Sequence, residues 1–219
     1  LMVVSDHGFG PFRHKVHLNR WLQDEGFLAA ASPTSTDNFA TVNWANTQAY
    51  ALGLNSLYLN RAGREGQGSV RPEAVPGLVA AVRQKLLAWR GRDEQPVVQQ
   101  VWTREEAYTG SLADYGPDLL IGYAPGYRAS AETGLGGWGT TALEPNQDHW
   151  HGDHCFAPEA VPGVLFTPGL KDEYPRPTYR DIPTLALGKA ITSGNVPPPP
   201  LSDEEQEVVT ERLKELGYL

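Results

Sequence analysis

The chain has one cysteine, Cys155, and one methionine, Met2, in 219 residues. A single thiol excludes any intrachain disulfide, so the fold must rest on a buried core. It also fits a reducing compartment such as the cytoplasm without fixing one. Long apolar runs are missing too. None approaches the ~18 residues of a bilayer span, and no signal-peptide pattern is present, so no segment reads as membrane-spanning. Positive charge is scarce: 18 Lys and Arg face 26 Asp and Glu, for a net charge of -8. The lack of a basic stripe argues against a nucleic-acid backbone binder. An acidic chain still binds phosphate where metal ions reverse the local field. There is no internal repeat, and the only low-complexity tract is the four prolines at 197–200.

Histidine is absent from the whole middle of the chain. Of six in total, His7, His14 and His17 lie near the start, and His149, His151 and His154 lie together far downstream. Scattered core or surface histidines would not divide so cleanly, and one metal site drawn from both ends is the economical reading.

The upstream group is the sharper one. The apolar run Leu1-Met2-Val3-Val4 reads as a short buried strand that delivers Ser5-Asp6-His7-Gly8-Phe9 at its C-terminal end. That end of a strand is where ligands bind in open α/β sheets. Asp6 and His7 can converge on one ion only if the chain leaves the strand there, and Gly8 is expected to supply unusual backbone angles for the exit. A carboxylate oxygen with an imidazole nitrogen suits zinc or a similar divalent ion. The downstream group is Asp148-His149-Trp150-His151-Gly152-Asp153-His154.

Strands alternating with helices predict an α/β fold with a mostly parallel sheet. Strands are expected at 57–59, 97–102, 118–123 and 164–166. Helices are expected at 18–25, ended by Gly26, from Pro76 with Val75, Leu78, Val79, Val82, Leu86 and Trp89 on one face, and at 181–190. Residues 29–38, 60–68 and 134–139 read as loop or turn. A last helix starts at Ser202-Asp203-Glu204-Glu205, runs through Val208, Val209, Leu213 and Leu216, and stops at Gly217. The chain opens inside a strand with no methionine at position 1, and we expect it to be the C-terminal part of a longer protein.

Ser5-Asp6-His7-Gly8-Phe9 resembles the S-D-H-G-[MF] motif of type I phosphodiesterases and nucleotide pyrophosphatases, within the alkaline phosphatase superfamily. Gly152-Asp153-His154 resembles the later G-x-H motif of the same family. Gly8-Phe9-Gly10-Pro11, residues 44–50, Asn60-Arg61-Ala62-Gly63-Arg64, Pro117-Asp118-Leu119-Leu120 and the ending 212–219 resemble the bacterial predicted phosphohydrolase or phosphomutase branch.

The resemblance implies a three-layer α/β/α sandwich. Residues 1–196 would be the C-terminal part of the catalytic domain, and 197–219 a linker and terminal helix. It implies two divalent ions bridged by a small-molecule phosphoester, with zinc the first choice and manganese suited to the same donors. Asp6 and His7 would hold one ion and His154 the other. The family's nucleophile and remaining ligands belong upstream of its S-D-H-G motif, so the 219-residue chain is expected to be inactive alone and to bind zinc weakly. Asp153 and His151 are candidates to orient His154, Asp153 by accepting its ring N–H. Arg13 and Arg64 are candidates to attract the substrate anion, with His14, His17, Lys15 and Arg128 in similar standing. Trp44, Thr47 and Tyr50 read as core or as walls of a leaving-group pocket. Cys155 reads as a small apolar residue. Two alternatives stay open: a phosphoglycerate-mutase-like or sulfatase-like member of the superfamily, and a non-catalytic binding module. Oligomeric state is not readable.

Overall fold

The structure is a computed structural model that describes residues 1–30, 39–137, 139–167 and 177–187. The chain divides into two compact units, one of Val3–Phe166 and one of Leu1–Met2 with Thr167–Leu219. The first unit is mixed α and β. Its strands are β1 (Val3–Ser5), β2 (Gly10–Val16), β3 (Ala49–Ala51), β4 (Ser56–Leu59), β5 (Val98–Thr103), β6 (Leu119–Tyr123), β7 (Gly126–Ala129), β8 (Leu143–Pro145), β9 (Gly152–Asp153) and β10 (Val164–Phe166). Its helices are α1 (Leu18–Asp24), α2 (Val75–Ala88), α3 (Arg104–Ala107) and α4 (Ala131–Gly134). In the second unit the 3-10 turn Tyr179–Asp181 leads into α5 (Ile182–Leu187), with Pro183 in the first turn as expected. The helix expected over 202–217, the prolines and the 196/197 boundary lie outside the described residues.

The core lies on the four-stranded sheet β3-β4-β6-β5. Alternation explains β4: Leu57 and Leu59 are fully buried, while Ser56 and Tyr58 face partly outward. The central strand β6 buries Leu119, Ile121 and Tyr123. Helix α2 packs against β5, with Val82 and Leu86 one turn apart and inaccessible. Trp21 of α1 stacks on Trp89 with ring centroids 5.4 Å apart. The Asn19 side chain of α1 copies a strand partner. It accepts from Ala51 N–H at 2.7 Å and donates to the Ala51 carbonyl at 2.9 Å, closing the β3 edge.

Beneath β4 and β6 lies a buried polar knot. Asp118 accepts from Leu59 N–H (2.8 Å), Arg64 (2.7 Å), Arg61 (3.4 Å) and Arg104. Arg64 also donates to the Leu59 carbonyl at 2.7 Å and to Glu65 at 2.7 Å, with its guanidinium 5.9 Å from the Tyr58 ring centre. Both carboxylate oxygens are thereby engaged, which a buried charge requires.

The α/β class is as expected, but the pairing is mainly antiparallel rather than mainly parallel. Among the named pairs only β2 with β7 runs parallel. The reason is the connections. The few residues between β3 and β4 can only turn back, whereas parallel neighbours need a crossover of about a dozen residues or more. Strand β2 is not among the expected strands: only Phe12 and Val16 of its residues are buried, so it carries little apolar alternation. Strand β1 exists but is exposed, against expectation. It pairs antiparallel with β10, and Val3, Val4, Val164 and Phe166 are each about half exposed or more.

Candidate metal centre

Strand β1 ends at Ser5, and the next residues are clamped onto the segment before β10. Gly8 N–H donates to the Val161 carbonyl at 2.9 Å, and Val164 N–H donates to Ser5 Oγ at 2.9 Å. Gly8 serves close approach rather than an unusual angle. Its φ is not positive, but a Cβ there would stand 2.9 Å from the Pro162 carbonyl oxygen. Gly163 is tighter, with a hypothetical Cβ 2.5 Å from the Ser5 carbonyl oxygen.

The downstream group arrives on β9, which pairs with the start of β2, Gly10 opposite Asp153. His154 therefore meets His7. Their rings stack at 4.0 Å between centroids and 6° between planes. Phe9 stands edge-on to both, at 5.6 Å and 5.5 Å, and is itself 72% exposed, forming an open apolar wall.

The donors suit a divalent ion. His7 Nδ1 lies 3.0 Å from the Gly8 carbonyl, which can only accept, so Nδ1 carries the proton and the Nε2 lone pair is available. Nε2 is 3.6 Å from Asp6 Oδ2. Two atoms each about 2.0–2.1 Å from one tetrahedral zinc stand roughly 3.4 Å apart, so this pair is close to a bidentate bite. Among the described residues the Asp6 carboxylate has one hydrogen bond, from its neighbour's N–H at 3.1 Å, and the side chain remains mostly exposed.

Asp153 does not accept the His154 ring N–H as expected. Its Oδ1 is 3.8 Å from Nδ1, beyond hydrogen-bond reach. It accepts the backbone N–H groups of His154 (2.7 Å) and Cys155 (2.9 Å), and its Oδ2 faces Arg128 Nε at 2.8 Å. Burial alone would raise its pKa. The two N–H donors and the Arg128 charge outweigh burial and hold the carboxyl below its usual range. Cys155 was passed over in the sequence, yet one ligand atom from each of Asp153, His154 and Cys155 fits within 4.8 Å. Burial, then the Asp153 carboxylate, pushes its thiol up to about 11, so it is not a ready thiolate.

The other candidates lie elsewhere. His151 contributes its carbonyl, which accepts from Phe12 N–H at 2.8 Å, while its side chain is exposed. Arg64 is committed to the Asp118 knot. Arg13 and His14 border a cavity of about 270 Å³ with Asp93 and Tyr127, where His14 stacks on Tyr127 at 5.0 Å. His17 is buried, 3.1 Å from Glu144 but out of line for a hydrogen bond. Lys15 grips Asp148 at 2.7 Å. Among the described residues no hydrogen bond or ion pair joins Arg13 or Arg64 to His7 or His154.

Residues 1–156 match the type I phosphodiesterase / nucleotide pyrophosphatase family, and the chain belongs to it. Its class is thus that of the phosphoester hydrolases. Comparison with curated proteins and with solved structures finds no match to either.

Proposed function

We propose that Asp6, His7 and His154 are metal ligands in the hydrolysis of small-molecule phosphoric esters, of the phosphodiesterase or nucleotide pyrophosphatase type. The observation that carries this reading is the stacking of His7 on His154, from positions far apart in the chain, beside an open carboxylate. Two divalent ions, zinc first, supply charge neutralisation for the phosphate oxygens and stabilise the leaving oxygen when bound. Asp6 and His7 offer adjacent oxygen and nitrogen donors, and the Gly8 carbonyl fixes the His7 tautomer. Phe9 stands edge-on against both imidazoles and limits their rotation on that side. No nucleophile is assigned to this chain.

The test is calorimetric titration of the metal-free chain with Zn²⁺, followed by assay on phosphate mono- and diesters of the longest polypeptide that contains it. His154→Ala is expected to weaken zinc binding by more than the ~10–100-fold typical of a supporting residue, with an unchanged melting temperature. A zinc-loaded protein inert on every ester tried would sink the reading.

A further inference from the structure

We propose that Arg128 is a positioning residue for His154. It crosses β2 to hold Asp153, which holds the two backbone N–H groups of the turn that carries the imidazole. This rests on the reading of His154 as a metal ligand.

The sheet makes the path explicit. Arg128 sits on β7, paired with one edge of β2 opposite Lys15. Asp153 sits on β9, and β8 and β9 follow the other edge of β2. Arg128 lies opposite Lys15 and Asp153 opposite Gly10, so joining them means crossing β2 obliquely, which takes a long side chain. Arg128 makes the crossing above the Phe12 ring, its guanidinium carbon 5.2 Å from the ring centre. Nη1 is anchored on the Ala129 carbonyl at 3.0 Å. Nε faces Asp153 Oδ2 at 2.8 Å, out of line for a hydrogen bond, so the contact is an ion pair. Both side chains are less than one-fifth exposed, where screening by water is weak.

The far end of Asp153 does the holding. Oδ1 accepts from His154 and Cys155 N–H together, a two-point grip that fixes the backbone from which the His154 ring projects. Arg128 in turn fixes the carboxylate. A lysine at 128 would keep the charge but lose the flat face that lies on Phe12 and the second point of attachment.

A purely structural ion pair would loosen the whole sheet, whereas a positioning residue acts on one turn. Amide hydrogen exchange of the full chain separates the two. In Arg128→Met the His154 and Cys155 amides are expected to exchange at least ~10-fold faster, with β6 amides unchanged. Zn²⁺ affinity is expected to fall ~10–100-fold. Arg128→Lys should recover part of both. If Arg128→Met does not fold, Asp153→Asn removes the same link while keeping its shape. Wild-type exchange at 154 and 155 in the variant, or acceleration of β6 to the same extent, overturns the proposal. A wild-type chain that takes up no zinc overturns the metal reading and Arg128's part in it, while the exchange comparison still decides whether Arg128 holds the turn.

Discussion

Asp118 and Asp6 are both aspartates at strand ends, and the protein treats them in opposite ways. Asp118 is 4% exposed and is surrounded by three arginines and a backbone donor. Asp6 has a side chain 83% exposed and one local hydrogen bond, to the N–H of His7. The first has no capacity left for a ligand, and the second has almost all of it. Asp118 is a saturated carboxylate within the scaffold, and Asp6 is an open one beside the stacked imidazoles.

Substitution of each aspartate breaks the comparison most directly. Asp118→Ala leaves Arg104, itself 7% exposed, beside an empty position, and is expected to cost about 3–5 kcal/mol in urea unfolding. Asp6→Ala is expected to stay within about 0.5 kcal/mol of wild type. Equal losses would erase the distinction. A smaller effect is expected at Ser130, a fully buried cap whose Oγ accepts from Thr133 N–H at 3.0 Å. Ser130→Ala should lower stability by about 0.5–2 kcal/mol in the same assay and leave zinc binding alone.

The smallest effect concerns pH. Glu106 closes the capping box of α3, and the Thr103 N–H, then the Arg83 guanidinium, hold its carboxyl below 4.5. A depressed carboxyl stabilises the fold above its unfolded pKa and loses that contribution as pH falls through the folded one. Wild-type stability is therefore expected to decline below pH 4.5 slightly more steeply than that of Glu106→Gln, measured as melting temperature against pH.

What was legible in the sequence was whatever burial alone determines. Leu57-Tyr58-Leu59, the run at 118–123 and the apolar face of α2 are buried or half-buried, and their side chains show the period of the element. Strands β2, β3, β7, β8 and β9 are not among the expected ones: β3, β8 and β9 are too short to show a pattern, and β2 and β7 alternate only in part. Strand direction was misjudged for a related reason, since connections set it and apolar patterning does not. At the candidate site, the approach of His7 to His154 was readable from histidine spacing and motif. The roles of Gly8 and Asp153 were not, because both act through the backbone of partners far along the chain.

The β1–β10 ribbon gives the site an unequal foundation. Two strands with solvent on both faces form a marginal structure, held far less firmly than the buried sheet that contains β6. The segment bearing Asp6 and His7 hangs from that ribbon, and it is expected to open at a lower free energy than the core. A divalent ion held by Asp6 and His7, beside a second on His154, would brace this weak edge. By mass action, an ion present at 100 times its dissociation constant would add about 2.7 kcal/mol against opening. Proteolytic nicking near β1 would then report metal occupancy, and the core would not register it.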